Sequence, residues 1–470
     1  MHMEKDAKAW AQDTFGDCEL GDKRRTRRVV SLAGSLAAHV GDSPYAACRG
    51  DAAANEGAYR LLRNDAVEAE AVAESGYRAS VRAASESEVV LAIEDTTTLS
   101  YGHAVKEELG DIGGPEGSAK GGFLVHSVLL VDAQKEHTLG LAAQQRWRRE
   151  RQARGRGAQR RERTYEDKES FKWQRASQQL SERLGGMMER VISVCDREAD
   201  VFEYLTHKDE RGERFVVRAA QNRRTTQSSR LFEQLHAAPV LGTREVTVAQ
   251  RGGRRGRRVQ VELRGCEVEL REPKSRDTGR VLRVNALLVH ETAPPQGTTA
   301  LNWVLLTSES IDDEACAQRI VRHYELRWRI EDFHKAWKSE GTQVEARRMQ
   351  SPDNLERIAV MLAFVAVRLM QLREVLYEPT GADAPAQPRR CTEVLTNEQW
   401  KMLWLTREKN KRLPKKPPSL RWAYESVAKL GGWIDTKRTG RAGWKALWEG
   451  WFILEQRVEG YQLAQQLRTR

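Results

Sequence analysis

Cysteine is scarce in this sequence, and its arrangement matches no metal site. The six cysteines include no Cys-x-x-Cys pair and no Cys/His cluster with zinc spacing. No stretch approaches the roughly 18 apolar residues of a membrane span, and residues 1–15 lack the apolar core of a signal peptide. Long low-complexity tracts and internal repeats are also absent. These absences predict a soluble, cytoplasmic, globular protein with free thiols.

The chain is long and carries a net positive charge. Its 470 residues are enough for two or three domains, and 40% of them are hydrophobic, as in globular proteins. The formal net charge is +11 at pH 7. Because Lys and Arg displace counterions from phosphates, this excess favours a polyanionic partner. Charge alone leaves ribosomal, membrane-surface and nucleic-acid roles open.

The predicted secondary structure divides the chain into three regions. Residues 1–70 predict helices, and the helix that begins at Asp22 carries basic residues in its first turns, where the helix dipole disfavours them and a phosphate partner would explain them. Strands and helices then mix as far as residue 376, with a β-rich insertion at about 219–300. Residues 377–470 predict linkers and tryptophan-rich helices. The sequence therefore predicts an α/β core, residues 71–376, between helical N- and C-terminal domains.

Acidic residues follow two of the predicted strands. The run of residues 89–93 ends at Glu94 and Asp95, and the run of residues 191–195 ends at Asp196. A carboxylate at a strand end projects into the crevice where α/β sheets bind ligands, and two of them on neighbouring strands can hold divalent cations. Aspartate is also a common turn former, so each residue alone is explained as well by a turn.

A long predicted helix, residues 313–339, carries a second polar set. Within roughly a 60° arc of its surface lie four residues at i, i+3, i+7 and i+14, namely Tyr324, Arg327, Glu331 and Lys338. A separate apolar stripe predicts packing on the sheet. An exposed ion pair between Arg327 and Glu331 would use the same spacing, so the spacing does not decide between a site and a solvated face.

The Tyr-x2-Arg-x3-Glu-x6-Lys spacing resembles the tetrad of bacterial insertion-sequence transposases of the DDE type, most closely those of composite kanamycin-resistance transposons. The likeness runs nearly end to end. It includes Leu-Gly-Asp-Lys-Arg-Arg-Thr at 20–26, Ala-Ile-Glu-Asp-Thr-Thr at 92–97, Val-His-Ser-Val-Leu-Leu at 125–130 and Val-Cys-Asp-Arg-Glu-Ala-Asp at 194–200. This resemblance implies an RNase H-like core with a β-strand insertion, flanked by helical domains.

The resemblance also implies the site residues. Asp95, Asp196 and Glu331 would be the catalytic residues and the ligands of two Mg²⁺ ions, with Mn²⁺ able to substitute. Trp303 would stack on a base flipped out of the duplex. The residues that would contact double-stranded DNA are Tyr324, Arg327, Lys338, Trp303, Arg218, Trp328, Arg24, Arg25, Arg28, Arg60 and Arg348.

The implied activity is cut-and-paste transposition in the bacterial cytoplasm, associated with the nucleoid. A homodimer would pair two transposon ends, nick them, form and open hairpins, and join the 3′-hydroxyl ends to target DNA. A nuclease that does not join would need neither end-binding helices nor a tryptophan-rich tail, and a non-catalytic regulator would not need three carboxylates. Two arginine-rich stretches, residues 146–163 and 251–258, are explained equally by phosphate contacts or by solvated loops.

Overall fold

The chain forms two compact units, each assembled from distant parts of the sequence. The structure, a computed structural model, describes residues 6–112, 121–149, 163–248, 256–274, 278–377, 387–409, 411–436 and 442–469. Unit 1 consists of residues 1–79, 99–123 and 332–470, and unit 2 of residues 80–98 and 124–331. The three consecutive domains expected from the sequence stay a prediction.

Helices form the N-terminal part of the described chain. They are α1 (Ala7–Phe15), α2 (Lys23–Ala38), α3 (Pro44–Ala47), α4 (Ala52–Leu62) and α5 (Ala69–Ala84). The carboxylate of Asp22 accepts the backbone N–H of Arg24 at 2.8 Å, which confirms the predicted start of α2. The apolar face of α2 is buried, through residues such as Leu32 and Leu36, while Arg24 and Arg28 are exposed. The amphipathic pattern thus turns the basic residues of α2 toward solvent.

Nine strands form one mixed sheet among the described residues. They are β1 (Val90–Tyr101), β2 (Gly121–Asp132), β3 (Thr138–Trp147), β4 (Val191–Cys195), β5 (Arg214–Arg218), β6 (Val240–Val248), β7 (Arg257–Arg271), β8 (Val281–His290) and β9 (Asn302–Thr307). Their order is β3-β2-β1-β4-β5-β9-β8-β7-β6. Strands β1, β4 and β5 run parallel, and β5 to β9 continue antiparallel. The first five strands have the RNase H-like order, and β6 to β8 extend the sheet as the predicted β-rich insertion.

Helices with one apolar face cover this sheet. Those of unit 2 are α6 (Lys172–Leu184), α7 (Phe202–Glu210), α8 (Leu231–Ala237) and α9 (Glu314–Glu325), and α10 (Trp328–Lys338) follows. Trp173, Ala176 and Leu180 recur every three or four residues on α6 and are buried. The mixed sheet with helical flanks confirms the predicted α/β class.

Two element boundaries differ from the prediction. Strand β1 continues to Tyr101, so Asp95 lies within the strand rather than at its end; the threonines after Asp95 favour strand and prolong it. The predicted helix 313–339 is two helices. Between them the N–H groups of Arg327, Arg329 and Ile330 bond three residues back instead of four, and this tighter winding breaks the helix without Gly or Pro.

The C-terminal part of unit 1 is a helical core. It contains α11 (Pro352–Leu376), α12 (Asn397–Arg407), α13 (Leu420–Leu430) and α14 (Trp444–Thr469). Trp444, Trp448 and Trp451 are buried in unit 1 itself, whereas Leu463 and Leu467 on the last turns of α14 are exposed. Most tryptophans of the tail therefore serve the chain's own core. Among the described residues, no helix has both the length and the hydropathy needed to cross a membrane.

Candidate active site and DNA-binding surfaces

Two aspartates occupy adjacent positions on neighbouring parallel strands. The ladder between β1 and β4 pairs Glu94 with Cys195 as its last pair, and Asp95 and Asp196 are the next residues of the two segments. Asp196 caps the short 3₁₀ helix that follows it by accepting the N–H of Glu198 at 2.8 Å. Asp95 accepts the N–H of Thr96 at 2.8 Å. Sheet register thus places two half-buried carboxylates side by side.

The two carboxylates resist ionisation. Burial, together with the charges of Asp196 and Glu331, raises the pKa of Asp95 to about 7, against the opposing effects of Thr96 and Arg327. Burial also raises the pKa of Asp196, despite its hydrogen bond from Glu198. Like charges held close in a poorly solvated place raise carboxyl pKa values. The pair is therefore suited to a cation, which would favour the ionised forms.

Arg327 is the positive charge of this cluster. It lies in the tight turn between α9 and α10 and is only 8% exposed. Its Nη2 lies 3.4 Å from Oε1 of Glu331. Burial works against its charge, but Tyr324 and the carboxylates of Asp95, Glu331 and Asp196 outweigh burial and raise the pKa of Arg327. The two residues thus form the ion pair that their spacing allows, with Arg327 largely buried and the Glu331 side chain 33% exposed, beside the carboxylates of Asp95 and Asp196.

The donor set of the cluster fits a divalent metal ion by its chemistry. Carboxylate oxygens are the hard ligands that Mg²⁺ and Mn²⁺ prefer, and a cation would relieve the repulsion that raises the pKa of Asp95. Within the described parts of the chain, no three His, Cys, Asp or Glu side chains lie close enough to form a ready-made metal cage. The three carboxylates would therefore have to converge on the ion.

Aromatic and basic side chains border the cluster in unit 2. The rings of Trp303, on β9, and Tyr324, on α9, meet edge to face at 5.2 Å. Arg218, at the end of β5, hydrogen-bonds with Tyr324 and donates to the carbonyl of Asn302 at 3.2 Å. Burial lowers the pKa of Arg218. The structure thus brings Arg218 and Trp303 next to Tyr324 and Arg327, from three separate segments of the chain.

Trp328 lies next to this group at the start of α10. Its ring is 5.4 Å from the guanidinium carbon of Arg327, and the residue is 42% exposed. A large aromatic ring at the surface beside a cation can stack on a nucleic-acid base.

A buried polar network behind Asp95 escaped the sequence analysis. Nδ1 of His126, on β2, lies 3.0 Å from the hydroxyl of Thr96, and its Nε2 lies 3.3 Å from Oε2 of Glu94. Glu94 and Thr96 flank Asp95 and point to the opposite face of β1 by strand alternation. Alternation along β1 does not by itself show that this face is buried, and His126 lies in an otherwise apolar strand with no sequence signal for a partner.

Asp200 connects two segments of the site and was likewise missed. Its carboxylate accepts the N–H groups of Ala220 and Gln221 at 2.7 and 3.0 Å and pairs with Arg223 at 2.6 Å. Asp200 is four residues after Asp196, and Ala220 is two residues after Arg218. The buried ion pair thereby holds the segment after β4 to the segment after β5.

Protein-family models match most of the chain. Residues 7–67 match the family described as transposase DNA-binding, and residues 71–368 match the transposase DDE domain. The chain belongs to the DDE transposase family. It is thus a DNA-binding enzyme, a DNA transposase. Among solved structures, the piggyBac transposase synaptic complex with hairpin DNA, determined by cryo-EM, is similar over 79% of this chain and 76% of that chain, with 10% identity and a TM-score of 0.42.

The N-terminal arginines of the transposase lie in unit 1, within the matched DNA-binding region. Arg24 and Arg28 project from α2 into solvent, and Arg25 donates to the carbonyl of Leu20 at 2.7 Å. Arg60, on α4, forms an exposed ion pair with Glu56 at 2.7 Å. Arg28 and Arg60 both line a groove of about 320 Å³ formed by residues of α2 and α4. Two of the predicted DNA contacts thus share one surface.

The remaining predicted DNA contacts of the transposase also lie in unit 1. Nζ of Lys338, at the end of α10, is 3.6 Å from Glu345, and Arg348 is exposed shortly afterwards. Both positive groups are accessible to solvent, Lys338 only in part.

The two arginine-rich stretches fall largely outside the described residues. Residues 150–162 and 249–255 are not described. At their edges the transposase pairs Arg149 with Glu169 at 2.5 Å, Arg258 with Glu245 at 3.2 Å, and Arg257 with Glu291. Their phosphate-contacting role stays a prediction.

Proposed function

We propose that this transposase moves a DNA segment by cut and paste, with one active site built on Asp95, Asp196 and Glu331. The observation that carries the proposal is the charge cluster of unit 2, in which burial and two neighbouring carboxylates raise the pKa of Asp95 to about 7. Acidic groups that lie close together and have strongly shifted pKa values are typical of active sites.

The three carboxylates would hold the metal ions, two Mg²⁺ per site, with Mn²⁺ as a substitute. When bound, such ions activate a water or a 3′-hydroxyl and stabilise the leaving oxygen of an in-line displacement. The protein would supply the hard oxygen ligands from Asp95 on β1, Asp196 directly after β4 and Glu331 on α10. Because the same carboxylates would serve nicking, hairpin formation, hairpin opening and strand transfer, every step depends on each of them.

Tyr324, Arg327 and Lys338 would bind the transposon-end phosphates beside the scissile bond. Arg327 already lies among the carboxylates, and a guanidinium in a poorly solvated site stabilises phosphate charge more strongly than one in water. Arg218, Trp328 and Arg348 would add contacts along the same DNA. These groups would orient the end so that one site can act several times without releasing it.

Trp303 would hold a base flipped out of the duplex during hairpin formation. The edge-to-face contact with Tyr324 fixes the plane of its ring. Stacking on an aromatic side chain is worth roughly 1–3 kcal/mol per base. A flipped base would relieve the strain of joining two strands into a tight hairpin.

The end sequence would be bound by the helical N-terminal domain, through the groove shared by Arg28 and Arg60 and through Arg24 and Arg25. Two chains would form a homodimer that pairs two ends. The buried tryptophans of the tail are committed to the chain's own core, so the exposed apolar end of α14, with Leu463 and Leu467, is the better candidate for the dimer contact.

The test is incubation of the protein with Mg²⁺ and DNA that carries the terminal repeats of its own element. Asp95→Ala, Asp196→Ala and Glu331→Ala should each reduce nicking, hairpin formation and strand transfer together, by at least about 10³-fold. End binding on a native gel should persist. Asp209→Ala, at an exposed position of α7, is the matched control and should keep wild-type activity.

A variant of Asp95, Asp196 or Glu331 that cleaves at a near-normal rate would remove that residue from the site. Cleavage without any joined 3′-end would favour the non-joining nuclease instead. Trp303→Ala separates the steps further, since nicking should survive while hairpin formation falls by roughly tenfold or more. Equal losses in both steps would contradict the flipped-base role.

A further inference from the structure

One imidazole contacts both neighbours of Asp95. His126 is completely buried on β2. Its Nδ1 lies 3.0 Å from Oγ1 of Thr96, and its Nε2 lies 3.3 Å from Oε2 of Glu94. A carboxylate only accepts hydrogen bonds, so Nε2 donates to Glu94 and Nδ1 accepts the hydroxyl proton of Thr96. Both ring nitrogens are thereby used, one on each side of Asp95.

This arrangement is costlier than an apolar core would be. Glu94 is completely buried, and its Oε1 has no hydrogen-bond partner among the described residues. A buried carboxylate with an unpaired oxygen destabilises a fold. The ring of Trp173 lies 4.5 Å from that of His126, a packing that an aromatic hydrocarbon would provide equally well. Stability therefore does not explain the polar pair.

Strand geometry connects the imidazole to the carboxylate of Asp95. The ladder between β1 and β4 has its last pair at Glu94 and Cys195, directly before the two aspartates. The N–H of Thr96 donates to Oδ1 of Asp95 at 2.8 Å. Whatever holds Thr96 therefore also fixes the donor that orients Asp95, at the point where support from the β4 ladder ends.

We propose that His126 is a positioning residue that fixes the metal-binding carboxylate of Asp95 by holding Glu94 and Thr96. The inference rests on the proposed function, because it takes Asp95 as a metal ligand. His126 does not touch the reacting atoms, and it acts through the backbone of β1. Groups that orient a metal ligand from behind commonly change metal affinity by about 10–100-fold.

The sharpest test removes one hydroxyl. Thr96→Val keeps the shape of the side chain and loses the bond to His126, whereas Thr96→Ser keeps the hydroxyl. Thr206→Val is the matched control, because Thr206 is buried in the same unit and its hydroxyl has no hydrogen-bond partner among the described residues. Mn²⁺ affinity is measured on the full-length, DNA-free protein by titration calorimetry and by the electron paramagnetic resonance of free Mn²⁺.

Thr96→Val and His126→Phe should weaken Mn²⁺ binding by roughly tenfold or more, while Thr96→Ser and Thr206→Val should bind as the wild type does. Metal-free binding of the transposon end should be unchanged in all four variants. The Mg²⁺ concentration for half-maximal nicking should rise for Thr96→Val, with the rate largely recovered at saturating Mg²⁺. A loss of stability alone would shift none of these affinities.

Asp95→Ala in the same titration separates the two ideas. Wild-type Mn²⁺ affinity in Asp95→Ala would overturn the proposed metal site itself. If Asp95→Ala loses affinity while folded Thr96→Val keeps it within about twofold, the metal site stands and the positioning role of His126 is overturned. Thr96→Val decides the question even if His126→Phe fails to fold.

Discussion

Two carboxylates of unit 2, Glu213 and Asp95, have surroundings that push their pKa values in opposite directions. Glu213 accepts hydrogen bonds from Lys208 at 2.9 Å, Arg211 at 2.7 Å and Ser181 at 2.8 Å, and a further one from Ser177. Burial alone would raise its pKa, but Lys208 and these donors hold the pKa of Glu213 at about 2. Its negative charge is fully satisfied by the protein.

Asp95 has different surroundings. Burial and two neighbouring carboxylates dominate its surroundings, and its pKa rises to about 7 although Thr96 and Arg327 oppose the rise. The comparison separates two uses of a buried acid. A carboxylate such as Glu213 is neutralised within the fold, whereas a raised carboxyl pKa such as that of Asp95 is typical of groups at functional sites.

The largest expected effect of this difference is on activity. Asp95→Asn should lower cleavage of transposon ends by at least about 10³-fold, because an amide cannot replace a charged metal ligand. Glu213→Gln should keep cleavage by the folded protein within about threefold, since it serves only the fold. Rates are measured with Mg²⁺ well below the unfolding temperature. Equal losses in the two variants would abolish the distinction between the acids.

Stability should show the reverse order. Glu213→Ala leaves the ammonium of Lys208 buried, with the Ser193 hydroxyl at 3.0 Å and the Tyr204 ring at 5.7 Å as neighbours, and should cost about 3–5 kcal/mol in the free energy of unfolding. The double variant Lys208→Met with Glu213→Leu should recover much of this loss, because it removes both charges. Denaturant unfolding without metal checks both values. A loss below about 1 kcal/mol for Glu213→Ala would contradict the structural role.

A smaller effect concerns pH. The folded pKa of Asp95 is raised, so the stability tied to its neutral form is present below its ordinary pKa of 3.8 and is lost as the pH rises toward about 7. Without metal, the Asp95→Asn variant should therefore have a free energy of unfolding roughly 1–3 kcal/mol higher than that of the wild type at pH values above about 7. The advantage should shrink toward pH 4.

The stability contributed by Glu213 should depend on pH in the opposite direction. Its folded pKa is lowered, so its contribution is present above its ordinary pKa of 4.5 and is lost as the pH falls toward about 2. Unfolding curves of the wild type, Asp95→Asn and Glu213→Gln, measured across pH, test both of these pH dependences. A pH-independent difference between Asp95→Asn and the wild type would show that Asp95 titrates normally.

The smallest effects are expected from exposed charges. The ion pair of Arg60 with Glu56 is exposed on both sides, so Glu56→Gln should change stability by less than about 0.5 kcal/mol. Arg60→Ala should nevertheless weaken end binding and reduce the slope of log affinity against log salt by about 0.9, the value for one phosphate contact. Binding is measured by fluorescence anisotropy over a range of salt. An unchanged slope would leave Arg60 as a solvated surface residue.

Sequence alone was sufficient where the decisive interactions are local. The N-cap at Asp22, the buried strand before Asp196 and the α/β class with helical flanks follow from capping, periodicity and β-branched runs, and the structure agrees with each. The DDE resemblance, which rests on motifs of a few residues, is confirmed by the family match over residues 71–368. Such signals survive in sequence because neighbouring residues produce them.

Tertiary structure decided what depends on distant segments. The length of β1, the break between α9 and α10 and the burial of Trp448 in its own unit arise from packing partners far away in the chain. The charge cluster is of the same kind. Whether Arg327 faces solvent or the carboxylates, and whether Asp95 titrates near 4 or near 7, depends on burial and on charges brought together by the fold, because electrostatic interactions follow distance in space rather than distance along the chain.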